Sequence, residues 1–388
     1  MEYVIVGGGI IGSCIAREIM LRGYGKVTVL EKEKKLGEHA SVRNSGVLHS
    51  GINQQPGTIK ASMCLEGNKL ARKYCKSHNV AIEECGTIVV AKNPSEEKVL
   101  KTLLGMGRDV GVRGLKIIDK GELKKHEPNV SGRKALLSPN GAIVDSMGFL
   151  ESIASEAKKL GVRYKMGNKV INIYGNEVLT SKGEFKADHI INCAGLYADK
   201  VAHMMKVGLR YTIIPFRGEY VEIKGIPINS MVYQVPDLKY PFLGVHLTKT
   251  VGGKVLAGPT AVLSLGRESY NKEVNFVETF NMLRKINFLR LVCKKEFIKL
   301  TYYNARLSFS DRAFLREVCK ILPQATTECV ADYLSGIRAQ IVDHKGNLLN
   351  DITIERTKNS THIINAVSPG MTCALPFAKL LADNLPQS

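Results

Sequence analysis

Runs of apolar residues change period along this chain, and the changes mark its elements. YVIV at residues 3–6 reads as a short buried strand and GGGIIG at 7–12 as a glycine turn. SCIAREIMLRG follows as an amphipathic helix stopping at Gly23, and KVTVLEKE, from Lys26, as a second strand. GNKLARKYCKSHN has helical spacing and EECGTIVVA the look of a strand, while residues 95–127 read as helical with lysine-rich faces up to Pro128. Asp145 opens a helix over 145–160 that ends at Gly161, and short strands follow until HIINCAG. From PFRGEYVEI to KVLAGPTAV the alternation is that of antiparallel sheet. HIINAVSPGMTCALPFAKLLADNL closes the chain as strand, tight turn and helix. With no internal repeat and no low-complexity linker, two domains are expected to interleave.

The segment NMLRKINFLRLVCKKEFIKL, residues 281–300, is helical and carries six Lys/Arg against one Glu. Ile286, Leu289, Cys293, Phe297 and Leu300 would share one face of a continuous helix. The expectation is that this face packs on its own domain. The alternative is that it rests on a membrane surface.

At 388 residues the chain is long enough for two cores, and a 44% hydrophobic, 23% charged composition is that of a globular protein. Nine dispersed cysteines without a CxxC pair favour reduced thiols over a disulfide frame or zinc site, so no metal is expected. The net charge of +19 is spread over the length, and no nucleic-acid-binding motif accompanies it. That charge suits an anionic small substrate or an anionic membrane surface better than a nucleic acid. A strand starting at residue 3 leaves no room for a targeting segment, so the expected location is cytoplasmic, with peripheral membrane contact as the variant.

Chemistry enters with Gly7, Gly9 and Gly12, a GxGxxG between strand and helix, which lets a pyrophosphate approach the helix N-terminus together with Ile10 and Ile11. Glu31 ends the second strand nineteen residues beyond Gly12 (31 − 12), beside Lys32. There its carboxylate can accept both ribose hydroxyls and would repel a 2′-phosphate, which leaves FAD or NAD. Two later segments favour FAD. HIINCAGLYAD ends on Ala194 and Gly195, small enough for a nucleotide to crowd the backbone. Pro369, Gly370, Met371 and Thr372 open the last helix, whose N-terminus would stabilise a reduced, anionic flavin ring.

The motifs VIVGGGIIG, VLEKE, GTIVVA, EPNVSGRKALLSPNGAIVD, NCAGLYAD and SPGMT resemble the FAD-dependent D-amino-acid-oxidase-like (DAO) superfamily over nearly the whole length. Within it, HASVRNSGVLHSGINQQPGTIKASMCLEG, PFRGEYVEI, YQVPDLKYPFLGVHLTKTVGGKVLAGPTAVLSLGRESY and GIRAQIVD are similar to the L-2-hydroxyglutarate dehydrogenase/oxidase family. The resemblance implies an α/β plus α+β protein: a Rossmann-like FAD-binding domain of the DAO type over 1–80, 145–210 and 330–388. It is interleaved with a substrate domain over 81–144 and 211–329 on a mixed, largely antiparallel sheet. It further implies FAD as cofactor, a small dicarboxylate as substrate, and a quinone or oxygen as electron acceptor.

Such a substrate needs cations for its carboxylates and a base for its hydroxyl proton. The resemblance puts Arg338 of GIRAQ on the α-carboxylate, with Arg217 of PFRG as a second clamp. His49, between Gly46 and Gly51 in RNSGVLHSG, and His246 compete for the base, since imidazole titrates near working pH. Tyr233 and Tyr270 could donate to the distal carboxylate. Asn44, Ser45, Gly46, Val170 and Gly336 would line the flavin. The chain departs from the family in carrying Arg43 where a second histidine is usual, and QQ in place of an aromatic pair before Pro56.

Overall fold

Strand Glu2–Val6 is apolar on both faces, with Tyr3 to Val6 buried, and so it occupies the middle of a sheet. The structure, a computed structural model, describes residues 1–236, 244–366 and 368–386; part of the YQVPDLKYPFLGVH motif, residues 237–243, lies outside them. Lys26–Glu31 and His189–Asn192 flank the central strand in parallel. Arg163–Met166 and Ser360–Asn365 extend the sheet in parallel, and Thr353–Arg356 closes one edge antiparallel. Parallel neighbours require crossovers, and helix Ile10–Leu21 supplies the first. It packs against helices Ser146–Lys159 and Gly370–Ala382. The first of these starts where predicted, Asp145 accepting the Met147 amide at 3.0 Å.

A second sheet of nine strands is antiparallel except where Met231–Gln234 runs parallel to Thr87–Ala91. Its longest pair is Thr212–Ile223 against Val330–Val342. Residues 330–342 therefore belong to this second sheet, which corrects the boundary placed at 330. A thirteen-residue strand finds its ladder partner in the strand from Thr212, and the first sheet resumes only at Thr353.

Two further expectations are corrected. Residues 95–127 are helices Pro94–Val110 and Lys120–His126 around a strand, Lys116–Asp119. Gly111, at φ 93°, ends the first helix in the left-handed region, and Asp119 with Glu122 forms a capping box that starts the next. Residues 275–300 are not one helical face. Three helices, Phe276–Leu283, Ile286–Val292 and Lys295–Phe309, are separated by breaks at 284–285 and 293–294. The breaks turn the helices, so Met282, Phe288, Leu291 and Phe297 go inward against Ile214, Phe216 and Val342. Of the five residues expected inside, Phe297 is buried, while Ile286, Leu289 and Cys293 face solvent.

Burial in the first sheet pulls His189 and His362 down to about 4, with the nearby Arg356 charge adding to the first and His189 to the second. The unfolded chain takes up these protons near 6.5 and the folded chain only near 4, so stability is full above 6.5 and falls as pH drops toward 4. The melting temperature is expected to decline steadily from pH 7 to pH 4.5. A flat melting profile would show that the two imidazoles titrate as in water.

Candidate cofactor and active site

The order of the first sheet reverses beside strand Glu2–Val6, and the cleft lies there, at the carboxyl ends of the strands. It has a wider hollow of about 760 Å³ and a narrower one of about 250 Å³, which share Gly9, Ser41, Cys193 and Gly195. Glu31, Lys32, Val170 and Ala194 line the wide hollow. Glu31 Oε2 accepts the Gly8 amide at 2.9 Å and Oε1 the Glu33 amide at 2.9 Å, so the acid is held at the rim. Helix Ile10–Leu21 begins at Gly9 with no side-chain cap there, and the Ile10 amide donates to Ser41 Oγ at 2.9 Å. A Cβ at Gly9 would stand 2.7 Å from that oxygen, inside the cradle an extended pyrophosphate requires. Gly12 does not line the cleft: a Cβ there would collide with the Gly7 carbonyl, so its part is close packing of helix on strand. These residues fit FAD: those of the wide hollow would hold its adenosine and those of the narrow one its ring.

Lys32 is bound up in a charged cluster in which its Nζ lies 2.7 Å from His39 Nε2 and 2.7 Å from Glu268 and also pairs with Glu33. The ammonium thus takes the position that Glu33, His39 and Glu268 could otherwise offer a cation.

Ile10, Ile11, Asn44, Ser45, His49, Gly336, Arg338 and the 369–372 turn line the narrow hollow. Asn44 serves the loop itself, accepting the Gly46 amide at 2.8 Å and donating to Ser41 O at 2.9 Å. His49 is held through its backbone. Its amide donates to Thr372 Oγ1 at 3.1 Å, and its carbonyl accepts from Asn68 Nδ2 at 3.2 Å and Cys64 Sγ at 3.5 Å. Lys60, Cys64 and Asn68 form one stripe of helix Ile59–Ser77 at i, i+4 and i+8. Buried Lys60 donates to Ser368 O at 3.0 Å, so this stripe ties the histidine loop to the turn before the last helix. Burial, and then the Lys60 charge, pull His49 from 6.5 to about 4. At neutral pH its imidazole is uncharged and able to accept a proton.

Arg338 and Arg217 cannot both face this hollow. In the ladder Arg338 lies opposite Phe216 and Arg217 opposite Ile337, so the pleat sends the two guanidinium groups to opposite faces. Arg338 shares its face with Gly218, Tyr220 and Gly336 and hydrogen-bonds Tyr220, while burial pulls its pKa below the ordinary guanidinium value. Arg217 is buried in a pair with Glu219 at 3.0 Å and donates to Ser269 O, which corrects the second-clamp expectation. Tyr270 also lies outside the hollow, its hydroxyl 2.7 Å from His39 Nδ1 and its ring under Arg43. Tyr233 is buried and stacks on His246 with ring centroids 4.3 Å apart. His246 is buried too, its Nδ1 2.9 Å from Gly244 O. Burial, joined by the charges of Arg338 and His49, carries its pKa down to about 3. It is not among the residues that line the narrow hollow with His49 and Arg338.

Gly336 lets its strand pass: a Cβ there would drive into the Arg43 carbonyl. Beyond Arg338, and partly lined by it, opens another hollow of about 360 Å³ with Lys299, Lys320, Tyr303 and Asn304 in its wall. Sequence reasoning missed Tyr220, Lys60 and Asn68. Tyr220 could have been found two residues on from Gly218, and the others from the helical stripe.

The chain matches the model of a family described as FAD dependent oxidoreductase over residues 2–384. It is 38% identical to the L-2-hydroxyglutarate dehydrogenase of Indibacter alkaliphilus over 392 residues, 98% of each chain. It is 31% identical to the protein of the same name from Escherichia coli, over 97% of this chain and 91% of that one. Among solved structures, the L-alpha-glycerophosphate oxidase of Mycoplasma pneumoniae superposes with a TM-score of 0.80 at 23% identity, over 100% of this chain and 95% of that one.

Proposed function

The chain belongs to the FAD dependent oxidoreductase family, and on that premise we propose that it oxidises the C2 hydroxyl of L-2-hydroxyglutarate to give 2-oxoglutarate. The observation that carries this reading is that His49 and Arg338 line one narrow hollow together with the 369–372 turn. FAD, when bound, supplies the two-electron acceptor for the hydride from C2. Arg338 forks onto the C1 carboxylate, with Tyr220 bracing its guanidinium. The distal carboxylate extends into the hollow walled by Lys299 and Lys320, which gives a five-carbon diacid an advantage over monoacids. His49, neutral and fixed by its backbone, takes the hydroxyl proton. His246 and Tyr233 are a buried stacked pair. Electrons then leave to a quinone or to oxygen.

Anaerobic reduction of the bound flavin by L-2-hydroxyglutarate, its D-enantiomer, glycine and glycerol 3-phosphate tests the reading. Fast bleaching by the first alone is expected. Faster bleaching by glycine or glycerol 3-phosphate would overturn it. The depressed His49 also predicts a pH profile. An imidazole titrating near 4 is already deprotonated at pH 5.5, so kcat/KM should be level from there to pH 8. A limb centred near 6.5 would point to a solvated histidine as the base.

A further inference from the structure

We propose that the outward face of residues 276–309 is a seat for an anionic lipid bilayer. More than half of the large apolar side chains that are exposed anywhere among the described residues lie between Val274 and Phe309. Phe276 is 81% exposed, Phe280 60%, Tyr302 73% and Phe309 78%. Monomeric proteins rarely gather large exposed apolar side chains in one region without a partner for them.

The arrangement is ordered. Helix Phe276–Leu283 turns Met282 inward and leaves Phe276, Val277 and Phe280 on the opposite side. Helix Ile286–Val292 buries Phe288 and Leu291 and exposes Ile286 and Leu289. Helix Lys295–Phe309 buries Phe297 and Leu307 and carries Ile298, Tyr302 and Phe309 outside. Met282, Phe288, Leu291 and Phe297 pack on Phe216 and Val342 and Leu307 joins the core around Phe314 and Val318, so the outer face is built before any ligand arrives.

Charge selects the occupant. Arg284, Lys285, Lys295 and Arg306 are exposed among these apolar residues, and none pairs with a carboxylate among the described residues. A two-fold contact with a second copy would gather both sets of these cations into one interface. An anionic bilayer neutralises them while its headgroup boundary accepts the phenyl rings and tyrosine edges. The helices lie on such a surface rather than through it, because no helix among the described residues is long and apolar enough to cross a membrane.

The test uses the full-length flavoprotein sedimented with vesicles. Binding to phosphatidylglycerol/phosphatidylcholine vesicles is expected to be at least tenfold tighter than to phosphatidylcholine alone, and to weaken as salt rises. The variant Phe276→Ser/Phe280→Ser should lose at least tenfold in vesicle affinity, and Lys285→Glu/Lys295→Glu should lose the preference for anionic lipid. Both should keep their flavin spectrum and their turnover with a soluble dye. Equal binding by the variants, or no binding by the parent protein, would overturn the proposal. So would a dimer in light scattering that the serine variant abolishes, since that would give the face to a second copy.

Discussion

Alanine at position 49 is expected to leave the flavin bound and to slow its reduction by the hydroxy acid about a hundredfold or more, the usual scale for loss of a general base. The fold should survive, because the loop is anchored through the His49 amide and carbonyl, to Thr372, Asn68 and Cys64, and not through the imidazole. Anaerobic stopped-flow reads the effect directly in the flavin band. His246→Ala, in contrast, removes a buried ring stacked on Tyr233 and should cost stability before it costs rate. If the His49 variant reduced at a near-normal rate and the His246 variant did not, the base would be His246.

Arg338→Ala is expected to weaken substrate binding about a hundredfold, consistent with about 3 kcal/mol for a charge-assisted bidentate contact. Lysine at 338 should recover only part of that, since a point charge cannot reproduce the planar fork. The measurement is the substrate dependence of flavin bleaching. Unchanged affinity in the alanine variant would move the clamp elsewhere. Arg217→Ala provides the contrast. It takes from buried Glu219 its nearer cation and leaves only Lys272 at 3.6 Å, so its expected effect is on melting temperature, with substrate affinity little changed.

Residues whose role depends on local spacing could be read from the sequence. The glycine turn, Glu31 at the end of the second strand, the helix capped by Asp145 and the histidine loop all declare themselves within a few residues. Arg217 and Arg338 could not be told apart, because which face each occupies is set by the pairing of two strands more than a hundred residues apart. Tyr270 looked like a substrate ligand until its partners, His39 and Arg43, came in from the far end of the chain. Lys60 and Asn68 are polar residues of a helix, and only the docking of the last helix shows that they are buried. The region from 276 to 309 misled for a different reason. Its helices break at Arg284–Lys285 and Cys293–Lys294 without glycine or proline, so a single helical wheel drawn over it assigns the wrong residues to the inside.

The interleaving of the first sheet also dictates when the cofactor can be acquired. His49 is bonded to Thr372, 323 residues later, and strand His189–Asn192 waits for Ser360–Asn365. At roughly 5–20 residues per second, a ribosome that has made the histidine loop needs on the order of a minute or less to supply its partner. During that interval the nascent chain carries the glycine turn but not the turn at 369–372, and a dinucleotide would meet half a cleft. Loading with FAD is thus expected of the released chain, and a protein shortened before Gly370 should be colourless however well its first domain segments are made.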